Sequence, residues 1–128
     1  MKKIAILAAS AALFAAAPAL AADLGSEITT AATHAGLAAK ASDLDGVHMH
    51  LHHALNCLVG PNGNGFDAKQ MNPCAGSGTG AIPDASDPAM KQALENAADT
   101  ARAGIAASDI AAAKADANKA NAQITAAK

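Results

Sequence analysis

Alanine supplies most of the apolar character of this chain, and that limits what it can fold into. Apolar residues make up 52% of the sequence but aromatic ones only 2%, with no Trp or Tyr. An alanine methyl buries little area, so a core built from it is thin. Alanine is also the best helix former. Such a chain is therefore expected to be all-α, with helices in close approach, and to need a crosslink, a metal or a partner for stability. The scarcity of aromatic rings also removes the stacking platforms used to hold sugars or single-stranded bases.

The N-terminus has its own pattern. Lys2 and Lys3 precede an apolar run from Ile4 to Ala17, and Pro18-Ala19-Leu20-Ala21 ends in small residues at peptidase spacing. Residues 1–21 thus read as a secretory signal peptide of bacterial type, which points to the periplasm. The run is shorter than the roughly 20 apolar residues a membrane anchor requires. The chain from Ala22 to Lys128 has 107 residues, enough for one small domain. It carries seven basic and eleven acidic residues, a net charge of −4 with neutral His. That charge disfavours nucleic acid and anionic membrane as partners and mildly favours cations.

Three zones follow. Residues 22–59 and 86–128 are Ala-rich with helical periodicity, and residues 60–85 are rich in Gly, Pro and Asn. Leu37, Leu44, Val47, Leu51, Leu55 and Leu58 fall on one side of a single helix at about 100° per residue. Met90, Leu94, Ala97, Ala101 and Ile105 form a second stripe. Ile110, Ala117 and Ile124 form a third after a slip in phase near Gly104 and Ser108-Asp109. A matching weak point lies at Ser42–Gly46, where Ser42 and Asp45 could make a capping box. Ser86-Asp87-Pro88 is a strong helix start. The expected architecture is an antiparallel hairpin of two long helices. If each helix breaks at its weak point, the result is a small four-helix bundle instead. Neither weak point contains proline, so the unbroken hairpin is the favoured form, and its thin stripes predict a homodimer.

Cys57 and Cys74 are the only cysteines, with 16 residues between them. In an oxidising compartment they are expected to form one disulfide, contributing about 3 kcal/mol in the chain-entropy model. A pair of thiolate ligands for a soft metal is the alternative.

The stretch VHMHLHH, Val47 to His53, holds four of the five histidines. His48 and His52 are one helical turn apart, as are His50 and His53 within a residue, so the segment offers two imidazole pairs on two faces. Either pair can chelate one ion. His34, two heptads before His48, falls on nearly the His48 side of a continuous helix; taken alone, it reads as a packed residue. Met49 falls with His50 and His53, and its thioether favours copper, above all Cu(I). Further ligands could come from water, Asp43, Asp45, Met71 or Met90. Plain packing, a pH-responsive interface and haem ligation through an axial His are the other uses of such a cluster. No CxxCH haem motif, phosphate loop, calcium loop or Ser-His-Asp arrangement is present, and the chain gives no case for an enzyme.

In its signal-like N-terminus, its size and VHMHLHH, the chain resembles small periplasmic, His-rich, Ala-rich helical proteins that bind copper, silver or other transition metals. The resemblance implies metal buffering, sequestration or delivery by reversible His chelation, with copper first and zinc or nickel as alternatives. Members of that class usually spread His and Met along the chain. Concentration in one segment suggests one or two defined sites. The candidate ligands are His48, His52, His50, His53, Met49 and His34. The rival reading is a structural module that dimerises or docks a partner through its apolar stripe and His-bearing face, without metal.

Overall fold

Aspartates open each of the four long helices. In the computed structural model, which describes residues 21–128, these are α1 (Leu24–Lys40), α2 (Leu44–Val59), α4 (Pro88–Ala106) and α5 (Ile110–Ala126). A four-residue turn of helix, α3 (Ala81–Asp84), precedes α4, and no strand occurs among the described residues. Asp23, Asp43, Asp87 and Asp109 are the N-caps. Each carboxylate accepts the backbone N–H three residues on, from Ser26, Gly46, Met90 and Ala112 respectively. Such a cap stabilises a helix start by about 1 kcal/mol. The signal-peptide reading falls on residues outside the described ones, except Ala21.

Both weak points are real breaks, so the four-helix form is the one adopted, not the unbroken hairpin. Alanine favours continuing the helix at Ala41 and Ala107, but Asp43 and Asp109 each cap a new one. The cap at the first break is Asp43, not the Ser42–Asp45 box. The two breaks also satisfy each other. The Lys114 ammonium on α5 donates to the Ala41 carbonyl, 3.0 Å, at the end of α1. His48 Nε2 on α2 donates to the Ala107 carbonyl, 2.9 Å, at the end of α4. Each exposed helix-end carbonyl is thus taken by a side chain from the other helix pair. The breaks lie at one end of the bundle, and the 60–80 loop lies at the other.

Around the bundle α1 packs on α2 and α5, and α4 packs on α5 and α2. Ile28 of α1, Val47, Leu51, Leu55 and Leu58 of α2, Leu94 of α4 and Ile124 of α5 are large apolar residues of the core. Alanines fill the remaining interface positions: Ala31, Ala35 and Ala38 on α1, and Ala113, Ala117 and Ala120 on α5. Gly104 is where α4 meets Leu51; a Cβ there would stand 2.6 Å from Leu51 Cδ1. The expected stripes are correct within each helix and fail across the first break. Leu37 is 43% exposed because α2 does not inherit the phase of α1.

The disulfide between Cys57 and Cys74 is formed, with Cα atoms 5.2 Å apart, and ties the loop to the end of α2. Asn56, fully buried beside it, anchors the loop a second way. Its amide donates to the Asp67 and Met71 carbonyls, both 3.0 Å, and its oxygen accepts the Asp67 N–H, 2.9 Å.

Glu27 on α1 meets the returning end of this loop and is fully buried. Oε1 accepts the Gly80 N–H, 2.9 Å, while Oε2 is buried with no hydrogen-bond partner. Asp84 of α3 lies alongside, held by the Thr79 N–H and hydroxyl. A Cβ on Gly78 would fall 2.6 Å from Glu27 Oε1 and 2.2 Å from Asp84 Oδ2, so the two carboxyls share one small space. Burial first, then the neighbouring Asp84 and Asp23, push Glu27 up to about 7 against the opposing Gly80 hydrogen bond. Burial works to raise Asp84 too, but the hydrogen bonds from Thr79, and one that a protonated Glu27 would donate, outweigh it and hold Asp84 below its ordinary value. A proton on Glu27 makes its free oxygen a donor to Asp84 and relieves the buried orphan.

Candidate metal centre

The fold-back at Ala41–Asp43 brings His34 of α1 against the α2 face that carries His50 and His53. His34 Nδ1 and His50 Nδ1 are 3.4 Å apart. The ring centroids stand 5.6 Å (His34–His50), 5.1 Å (His34–His53) and 5.8 Å (His50–His53) apart, and His53 meets the other two rings edge-on. One nitrogen from each ring lies within 4.8 Å of the others, so the three histidines could hold a metal ion. A tetrahedral ion bonded to nitrogens at 2.0–2.1 Å needs them about 3.3 Å apart, a small closure from what is seen.

The electrostatics suit a cation in a site of neutral ligands. His53 is only 7% exposed, and its Nδ1 is buried without a hydrogen-bond partner. Burial lowers the His53 pKa, with His50 and then His52 adding to the effect. His34 is lowered by burial as well, then by His53 and His50. Crowded imidazoles resist a second positive charge, so these two rings keep their lone pairs at neutral pH. A neutral ring is the form that binds metal.

The grouping differs from that expected of a continuous helix. His34 joins His50 and His53, not His48, because the break at Ala41–Asp43 reverses the chain. His48 and His52 lie elsewhere on α2, in an open groove that Met49 also lines. Met49 is 40% exposed and lies with that second pair, not with His50 and His53. Cys57, one turn beyond His53, is locked in the disulfide and has no thiolate to offer. Met71 is 63% exposed in the loop. Asp43 is engaged as a helix cap.

Asn56 and Glu27 did not figure among the expected residues, and Asp67 stood out only as part of a possible acidic turn without calcium-loop spacing, not as a partner of Asn56 and His52. A signal existed for Asn56, the one amide inside the apolar run LNCLVG; a polar side chain in such a run must find partners when buried. The roles of Glu27 and Asp67 gave none, because they depend on contacts with residues far away in the chain.

None of the described helices is long and apolar enough to cross a membrane, and the disulfide is compatible with an oxidising compartment. No protein-family model matches the chain, and no curated protein or solved structure resembles it closely enough to count as a match.

Proposed function

We propose that this protein binds one transition-metal ion reversibly through His34, His50 and His53, and that it buffers, sequesters or hands on that ion in the periplasm. The observation that carries the reading is the convergence of three imidazoles from two helices within 4.8 Å, one of them with a buried nitrogen that has no protein partner. An all-imidazole set suits copper, zinc and nickel, and for such donors Cu(II) heads the affinity order, so copper comes first. Three protein ligands leave at least one coordination position for water or an incoming ligand, which favours exchange over permanent structural binding. His34 and His50 are half-buried, so solvent reaches the site from their side.

No reaction is assigned; the chemistry is chelation. Binding also joins α1 to α2, so metal should raise the stability of a bundle whose α1 and α5 faces are mostly alanine.

The test is elemental analysis of protein purified from the periplasm, followed by Cu(II) and Zn(II) calorimetry on the wild type and His34→Ala. Stoichiometric binding at micromolar affinity or tighter, weakened about a hundredfold in His34→Ala (a loss of about 2.7 kcal/mol), is the expected result. Binding indifferent to His34→Ala sinks the reading. A dimer that persists in chelator and a wild type that takes up no metal would instead favour the docking module.

A further inference from the structure

The histidine segment supplies more ligands than the three-His centre uses, and the unused pair is oriented by partners of its own. His48 donates its Nε2–H to the Ala107 carbonyl at 2.9 Å. That bond fixes the tautomer and leaves the Nδ1 lone pair free. His52 turns its Nδ1 toward Asp67, whose Oδ2 is 3.9 Å away, and this Nδ1 is buried with no hydrogen-bond partner. Its Nε2 is the ring nitrogen left for a ligand. Asp67 is itself held in place, because Asn56 binds both its N–H and its carbonyl and Asp67 Oδ1 accepts the Lys69 N–H. Backbone carbonyls and carboxylates on the far nitrogen are the usual companions of metal-bound imidazoles, which they orient and make more basic.

Both rings line the same open groove, of about 640 Å³, with Asp43, Asp45, Met49 and Gln70. They are four residues apart on α2, the spacing at which two imidazoles can chelate one ion. We infer that His48 and His52 form a second, independent divalent transition-metal site, in which His48 Nδ1 and His52 Nε2 bind the ion and Ala107 and Asp67 position the rings. Water completes the shell, and Asp45, exposed at the groove, lowers the cost of bringing in a cation. With two protein ligands against three, and an open groove, this site is weaker than the first and fills after it. It stands apart from the three-His reading, because the two sites share no residue.

Binding at this site would move a charge onto a ring that faces Asp67. A cation on His52 Nε2 strengthens the pull of the Asp67 carboxylate on Nδ1–H, so the 3.9 Å gap should close to a hydrogen bond. Asp67 is therefore a positioning residue, and Asp67→Asn should weaken the second site without removing a ligand.

The experiment is Cu(II) calorimetry on the full disulfide-bonded protein, comparing wild type, His34→Ala and His52→Ala. His48→Gln, which keeps an N–H donor for Ala107, and Asp67→Asn serve as the fourth and fifth proteins. Circular dichroism checks that each variant is folded. Two equivalents in the wild type, the weaker one lost in both His52→Ala and His48→Gln and weakened about tenfold in Asp67→Asn, is the expected result. His52→Ala makes no fold-holding hydrogen bond to lose, so it stays informative if His48→Gln does not fold. A wild type that binds one equivalent, unchanged in His52→Ala, overturns the second site. Loss of a sole equivalent in His52→Ala but not in His34→Ala sustains this site and sinks the three-His centre, so the two proposals fail separately.

Discussion

Glu27 and His34 sit seven residues apart on α1, two turns along one face, and both point polar groups into the bundle. Their surroundings ask for opposite remedies. Glu27 meets a second carboxylate and one backbone N–H, so a proton relieves it. His34 meets two more imidazoles, so a proton makes matters worse, and a metal ion held by all three would relieve it. The position on the helix is the same; what decides the chemistry is which element packs opposite. At Glu27 that element is the disulfide-closed loop and α3. At His34 it is the His-bearing face of α2.

The largest effect that separates these two regions should come from the disulfide. Replacing Cys57 and Cys74 together with Ser should lower stability by about 3 kcal/mol in denaturant titration, because the loop is freed. Metal affinity should change little, since the pairing of α1 with α2 sets the imidazole geometry. A collapse of metal binding in that variant would break the separation of loop end from metal end.

The pH response should come next. Glu27 has a folded pKa above its unfolded value, so its contribution is full below about 4.5 and lost as pH rises toward about 7. His34 and His53 have folded pKa values below 6.5, so their contribution is present above that value and lost as pH falls through it. In metal-free protein the two therefore oppose each other on the acid side of neutrality. Glu27→Gln supplies an amide N–H toward Asp84 and an oxygen for Gly80 without titrating. Its melting temperature should rise with pH from 5 to 8, without the wild type's opposing decline. An unchanged pH profile in Glu27→Gln would deny the shared proton.

Acid should also release the metal. Uptake measured from pH 8 to pH 5 should fall as protons compete for the imidazoles, while Glu27 is gaining its proton. A protein that stays folded at pH 5 but gives up its ion is the expected outcome, and retention of the full ion content at pH 5 would contradict it. The smallest effect should belong to Leu37. Its exposed side chain predicts that Leu37→Ser changes stability by no more than about 0.5 kcal/mol. A loss of 2 kcal/mol or more would restore the continuous stripe.

Much of the fold was legible because helix signals are local. Alanine content, the Asp-Pro start at Asp87 and the phase slip near Gly104 each act within a few residues. The two cysteines identified their own bridge because there were no others to choose from. The breaks were visible as weak points, but their outcome was not. It depends on Lys114 reaching Ala41 and His48 reaching Ala107, contacts 73 and 59 residues apart in the chain. The same limit applied to the site. Spacing correctly set His50 beside His53 on one face and His48 near His52 on another, since both relations lie within α2. It put His34 on the wrong side, because a reversal at Ala41–Asp43 cannot be read from the phase of a helix assumed to continue. The Glu27–Asp84 pair was invisible for the same reason.

The most direct test of the three-His centre is an NMR titration of the imidazole nitrogens with Zn(II) in disulfide-bonded protein at pH 7. The first equivalent should shift the ring nitrogens of His34, His50 and His53 together, with one ligating nitrogen in each. A first equivalent that leaves these three rings unchanged would contradict the three-His centre.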